Sequence, residues 1–318
     1  MTKTTSAMGK FIDPFTDWGF KRIFGQETSK ALLIQFLNDL LEGERHVTGL
    51  TFRDKEQLPE TRDLRGIVYD IHCRTDTGER IIVEMQNHHQ ERFVDRSLYY
   101  AARSIVSQGK TRDWGYRLES VYTVCFMNFI IKGHDTLAKF RTDVTLADME
   151  DGRTFSDRMR LVYLTLPLFR KGADECETNL ERWIYTLKNM TTLEDIPFLT
   201  DNPVFRYLAD VADISALSQG ERQRYDESIK TMRDHISAYE TAINKGRREG
   251  LAEGERKGRL EGKAEGLKEG LSKGKIEGHS EGAKEEKMQT ARRMKVEGFS
   301  IEMIARITGL SPEEIASL

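Results

Sequence analysis

The chain has little cysteine. Among 318 residues there are three, Cys73, Cys125 and Cys176, odd in number and far apart. That argues against a disulfide framework, offers no metal-ligand spacing and suits a reducing compartment. An excess of one charge is lacking too. Charged residues make up 32% of the chain, yet the formal net charge is only −3. A global basic field for nucleic acid is absent, so any such contact must come from a local patch. No apolar run approaches the roughly 20 residues of a membrane-spanning helix. The opening MTKTTSAMGK has no apolar core of a secretory signal. The expectation is a cytoplasmic protein without a membrane segment.

What is present is organised around residues 67–108, IVYDIHCRTDTGERIIVEMQNHHQERFVDRSLYYAARSIVSQ. The period of two predicts a strand with Val68, Asp70, His72 and Arg74 on one face and Ile67, Tyr69, Ile71 and Cys73 on the other. Thr75-Asp76-Thr77-Gly78 predicts a turn, with Gly78 free to take positive φ. A second strand over 80–86 puts Ile82, Glu84 and Gln86 on one face and Ile81, Val83 and Met85 on the other. Asp70 and a Glu-x-Gln pair thus sit in otherwise apolar strands. A buried carboxylate is costly unless paired or bound to a cation. Two on adjacent strands would suit Mg²⁺, which takes one or two carboxylates plus waters and substrate phosphate. By spacing alone, the favoured reading of Glu84 and Gln86 is as solvent-facing strand-end residues, since an acid-then-amide pair on a strand is common.

Asp13 to Gly25, DPFTDWGFKRIFG, predicts a short helix with Pro14 near its start and Gly25 at its end. Asp17 and Lys21, one turn apart, form either a surface ion pair or part of a cleft. Glu27 to Leu41 reads as a helix. A first strand over 47–52 and a polar loop with Pro59 follow. The helix expected over 91–108 places Val94, Leu98, Ala101 and Ile105 on the sheet side and Arg92, Arg96, Tyr99 and Arg103 together on the other. Those arginines suit phosphate, and the tyrosine sugar or base; a solvated charged face reads equally well. His88-His89 read as loop or cap residues. Residues 121–131, VYTVCFMNFII, predict a fully buried strand, and 160–169 another, with Pro167 arguing for an edge. Helices are expected over 179–190, 202–213 and 221–244. Strands mixed with helices argue for an α/β or α+β sheet domain.

Asp70, the hairpin, Glu84-Met85-Gln86 and the following helix resemble the core of the PD-(D/E)XK nuclease superfamily. The Asp13–Gly25 segment and the glycine-rich tail narrow the resemblance to the Rpn-type family of recombination-promoting nucleases and transposases. It covers most of the chain. The resemblance implies a restriction-endonuclease-like mixed sheet flanked by helices, over about 10–240 with a helical extension. It further implies a Mg²⁺-dependent DNA endonuclease tied to recombination or mobile elements. Asp70 and Glu84 would hold the metal, Gln86 would orient water or phosphate, and Arg92, Arg96 and Arg103 would grip DNA. Gln86 stands where the wider superfamily has lysine, and glutamine is neither base nor cation. A non-catalytic oligomeric scaffold binding nucleic acid or protein is the alternative reading.

From Gly246 to Gly282 a glycine recurs at every fourth position, ten in all. Between 246 and 287 there are 11 Lys/Arg and 10 Asp/Glu, so the stretch is no basic track. As a helix it would forfeit about 10 kcal/mol relative to alanine, and a flexible linker is the simple reading. A self-associating helical arm over 244–286 would recover that loss by close packing, which implies a homo-oligomer; a pure assembly protein is the extreme form of this reading. Residues 1–9 are expected to be unstructured. Residues 287–318 read as short helices resembling part of a helix-turn-helix. Glu313 and Glu314 at the last helix start disfavour DNA there and favour a protein contact.

Overall fold

A computed structural model describes residues 9–57, 67–88, 90, 92–109, 115–131 and 139–318. Pro59, His89, Glu91 and most of the expected disordered start lie outside the described residues. Two compact units are distinguished, 1–237 and 238–318.

The first unit is a six-stranded mixed sheet flanked by helices. Strands β1 (Leu50–Phe52), β4 (Ile71–Thr75), β5 (Arg80–Gln86), β6 (Val121–Met127), β7 (Arg141–Ala147) and β8 (Thr154–Thr165) are ordered β1-β4-β5-β6-β8-β7. A separate two-stranded ribbon pairs β2 (Glu56–Gln57) with β3 (Ile67–Val68). The β4–β5 hairpin forms as expected, with Gly78 at φ +104° in the turn. The chain then leaves β5 through α3 (Phe93–Val106) and re-enters beside it as the parallel strand β6. All seven residues of β6 are buried, because β5 and β8 flank it and helices cover both faces.

One face packs against α1 (Asp17–Phe24), α2 (Lys30–Leu40), α4 (Asn179–Asn189) and α5 (Pro203–Ala212). Its centre is aromatic: Phe126 of β6 meets the rings of Phe20, Phe24 and Phe36 at 5.6, 6.1 and 5.2 Å. The buried indole of Trp183 donates to Asp39 at 2.8 Å. The opposite face is covered by α3, whose small residues Ser97, Ala101 and Ser104 are buried and allow close approach. Ser97 Oγ and the Tyr163 hydroxyl hydrogen-bond at 2.7 Å.

Several sequence expectations need correction. Helix α1 begins at Asp17, not beside Pro14. Thr16 caps it by accepting the Gly19 N–H, while Asp13 is held outside by accepting from Phe15. Strand β8 is internal, and Pro167 falls in a helical turn just past its end, so it marks no edge. The edge on this side is β7, which is mostly exposed and lacks the apolar run that signals a strand. The strand expected from 67 onward breaks at Tyr69–Asp70. Ile67 and Tyr69 therefore pack on the α3 side with Ile82, whereas Ile71 and Cys73 face the other core. A one-residue irregularity flips every side chain beyond it.

The helix α6 (Gln219–Val296) is continuous, joining the segments expected separately over 221–244 and 287–296. The ten ladder glycines lie within it, and a side chain added at any of them would meet nothing within 4 Å. In the second unit the end of α6 packs with α7 (Ile301–Thr308) and α8 (Pro312–Ala316) around Ala291, Ile304, Leu310 and Ile315. Ser300 and Ser311 cap the two short helices, and Gly309, at φ +72°, ends the first.

Candidate active site

The site is built at the end of the β4–β5 ladder. Ile71 pairs with Val83, so the residues just beyond, Asp70 and Glu84, meet where regular pairing stops. The Asp70 N–H donates to Glu84 Oε1 at 3.3 Å, and Asp70 Oδ2 accepts the Met85 N–H at 2.8 Å. The break that frees these groups is itself paired, since the Tyr69 N–H donates to the Lys55 carbonyl at 2.9 Å. Glu84 is 3% exposed. Burial, with the Asp70 charge next, raises the Glu84 carboxyl well above the ordinary range. Burial also raises Asp70, opposed by its bond from Met85 and by the Lys21 cation. Desolvation and like-charge proximity both penalise ionisation here.

Two cations act on both carboxyls and a third interacts with Asp70 alone. Lys21 of α1, bridged to Asp17 at 2.5 Å, draws both carboxyls down, while Asp17 pushes Asp70 up. Arg96 of α3 also draws both down. The third is Lys55, which precedes β2. Burial and the Lys21 charge lower its ammonium, and Asp17 and Asp70 oppose that. Lys55 was not singled out by the sequence; a lone lysine in a polar loop carries no periodic signal, and only its carbonyl's bond to Tyr69 places it here.

Gln86, at the end of β5, accepts from Gln90 Nε2 at 3.0 Å. It shares a cavity of about 230 Å³ with Asp17, His88 and His235. Arg96 stacks over Phe93 and Tyr100 at 5.3 and 5.8 Å and donates through Nη1 to Gln90. Its Nε and Nη2 are buried without a hydrogen-bond partner. The face expected for α3 is thus corrected. The buried line runs through Phe93, Ser97, Ala101 and Ser104; Leu98 is 39% exposed, and Arg96 is half-buried at the border instead of standing out in solvent. Arg92 is exposed. Arg103, two turns beyond Arg96, acts on the Tyr69 hydroxyl and lies apart from the groove that Arg92 and Arg96 share.

Among the described residues no group of three or more His, Cys, Asp or Glu side chains converges as a metal cage. The donor set is a carboxylate pair, Glu84 buried and Asp70 half-buried. That fits a hard divalent cation keeping several waters, and does not fit a closed structural zinc site. Among the described residues no helix is long and apolar enough to cross a membrane.

No curated protein and no solved structure is matched by the chain. A family model is matched over residues 14–242, which takes in the opening helix, the whole sheet, α3 and the start of α6, and stops short of the first ladder glycine. With most of its length and both carboxylates inside that match, the chain belongs to the PD-(D/E)XK nuclease family transposases.

Proposed function

We propose that the protein is a Mg²⁺-dependent DNA endonuclease acting in recombination or mobile-element movement. The observation that carries this reading is the hydrogen-bonded Asp70–Glu84 pair, with Glu84 buried and Asp70 half-buried, both raised in pKa, acted on by Lys21 and Arg96, and with Lys55 interacting with Asp70. Asp70 and Glu84 would hold the cation, which when bound polarises the phosphodiester and makes a bound water acidic. Gln86, fixed by Gln90, orients water or a non-bridging phosphate oxygen. Lys21 and Lys55 supply the positive charge that glutamine at position 86 does not. Arg96 and Arg92, which line one groove, hold the backbone; Arg103 reaches it only farther along α3. Cleavage leaves a 5′-phosphate and a 3′-hydroxyl. The test is nicking of supercoiled plasmid with Mg²⁺ by the wild type, Asp70→Ala and Glu84→Ala. Activity confined to the wild type supports the reading; equal nicking by all three removes it.

A non-catalytic DNA-binding scaffold is the second reading, favoured by the engagement of Gln86 with a neutral neighbour, Gln90. Salt-sensitive DNA binding without metal-dependent cleavage would support it. In either case we infer a homo-oligomer joined through α6. Leu251, Leu260, Leu267, Leu271 and Ile276 are each at least 60% exposed along the glycine-bearing stretch. A helix forfeiting about 10 kcal/mol to glycine gains from burying that surface against a second copy.

A further inference from the structure

Beside the carboxylate pair, on the α3 side, lies a groove of about 580 Å³. That is within the range of roughly 300–1,000 Å³ that encloses organic ligands. Its walls are of two kinds. Val68 and Tyr99 are apolar and exposed, 63% and 40% respectively. Arg92, Arg96 and Asp95 bring charge of both signs. Gln90 lines both this groove and the cavity of Gln86, and Arg96 of the groove acts on both carboxyls, so the groove adjoins the site.

We propose that this groove takes one unpaired base of the DNA strand whose phosphate lies at Asp70 and Glu84, so that the preferred substrate is single-stranded or locally unpaired. The proposal rests on the nuclease reading for the position of the phosphate. A backbone phosphate gains nothing from Val68 or Tyr99, whereas the flat face of a base stacks on a tyrosine and covers the valine. Asp95 repels phosphate but accepts from an exocyclic amine on a base edge. Arg96 lines the groove and its charge also acts on both carboxyls, so positive charge stands where the phosphate and the base would meet. In a paired duplex the base faces are buried in the stack, so a base can fill the groove only after unstacking, which costs a few kcal/mol and is least for bases already single-stranded.

The test measures binding of full-length protein, in EDTA so that nothing is cut, to a fluorescein-labelled oligothymidylate and to a blunt duplex of equal length. Tyr99→Ala should weaken single-strand binding by roughly ten-fold or more, and by at least several-fold more than duplex binding. Tyr99→Phe should retain it. A 2-aminopurine in the single strand should be quenched by wild type and Tyr99→Phe but not by Tyr99→Ala. Equal losses on both substrates, or no loss on the single strand, overturn the proposal. Because Tyr99 is substantially exposed, circular dichroism of Tyr99→Ala should match wild type, and the phenylalanine variant separates stacking from misfolding. The nuclease reading fails separately, if Asp70→Ala still nicks plasmid while the Tyr99 discrimination persists.

Discussion

Glu84→Gln should stabilise the metal-free protein while removing its capacity to cut. The carboxyl is almost wholly buried, next to a second carboxyl, and its pKa rises from 4.5 to about 8. An acid whose folded pKa lies above its unfolded value makes its full contribution to stability below the unfolded value. That contribution is lost as pH climbs toward the folded one, because the folded state holds the proton more tightly. Each pH unit in that window costs about 1.4 kcal/mol, so the accumulated penalty at neutral pH is about 3 kcal/mol. Glutamine keeps an oxygen at Oε1 to accept the Asp70 N–H and cannot ionise, so the variant escapes the penalty. At about 2–4 °C per kcal/mol for a unit of this size, the melting temperature in EDTA at neutral pH should rise by about 6–12 °C. A calorimetric series from mildly acidic to mildly alkaline pH reads the same term as a slope. Wild type should lose stability as pH rises, and the variant should lose less. Parallel slopes, or a variant that melts at or below wild type, would refute the account of the buried pair.

The remaining predictions concern the metal, the cations, the arm and the core. Mg²⁺ at a hundred-fold excess over its dissociation constant should stabilise wild type by about 3 kcal/mol, and Asp70→Ala not at all, as differential scanning fluorimetry would show; an equal shift in both places the ion elsewhere. Lys55→Met should reduce plasmid nicking by about ten-fold or more with little change in melting temperature; undiminished nicking would leave Lys21 as the compensating cation. Leu260→Glu with Leu267→Glu in the full chain should lower the mass measured by light scattering, and an unchanged mass would take α6 out of the interface. Phe126→Ala should cost about 3–5 kcal/mol in denaturant unfolding, since its ring joins those of Phe20, Phe24 and Phe36; a loss below 1 kcal/mol would contradict the described core.

The sequence alone determined the pieces whose causes are local. The β4–β5 hairpin, the bounds of β5, the positive φ of Gly78, the cap at Ser300 and the capping box at Ser311 follow from alternation, turn chemistry and hydrogen bonds between near neighbours. It also brought Asp70 and Glu84 into view, because a hairpin of this length sets one opposite the other. Tertiary structure decided what surrounds them. The flip of Tyr69 to the α3 side depends on a partner far back in the chain, the Lys55 carbonyl. Lys21 and Lys55 reach Asp70 from separate elements. Arg96 is half-buried because small side chains at Ser97, Ala101 and Ser104 let α3 settle close to the sheet. Periodicity fixes which residues share a face of one element. Which faces meet, and how closely, is set by packing between elements distant in sequence, and the electrostatics of the carboxylate pair belongs to that second level.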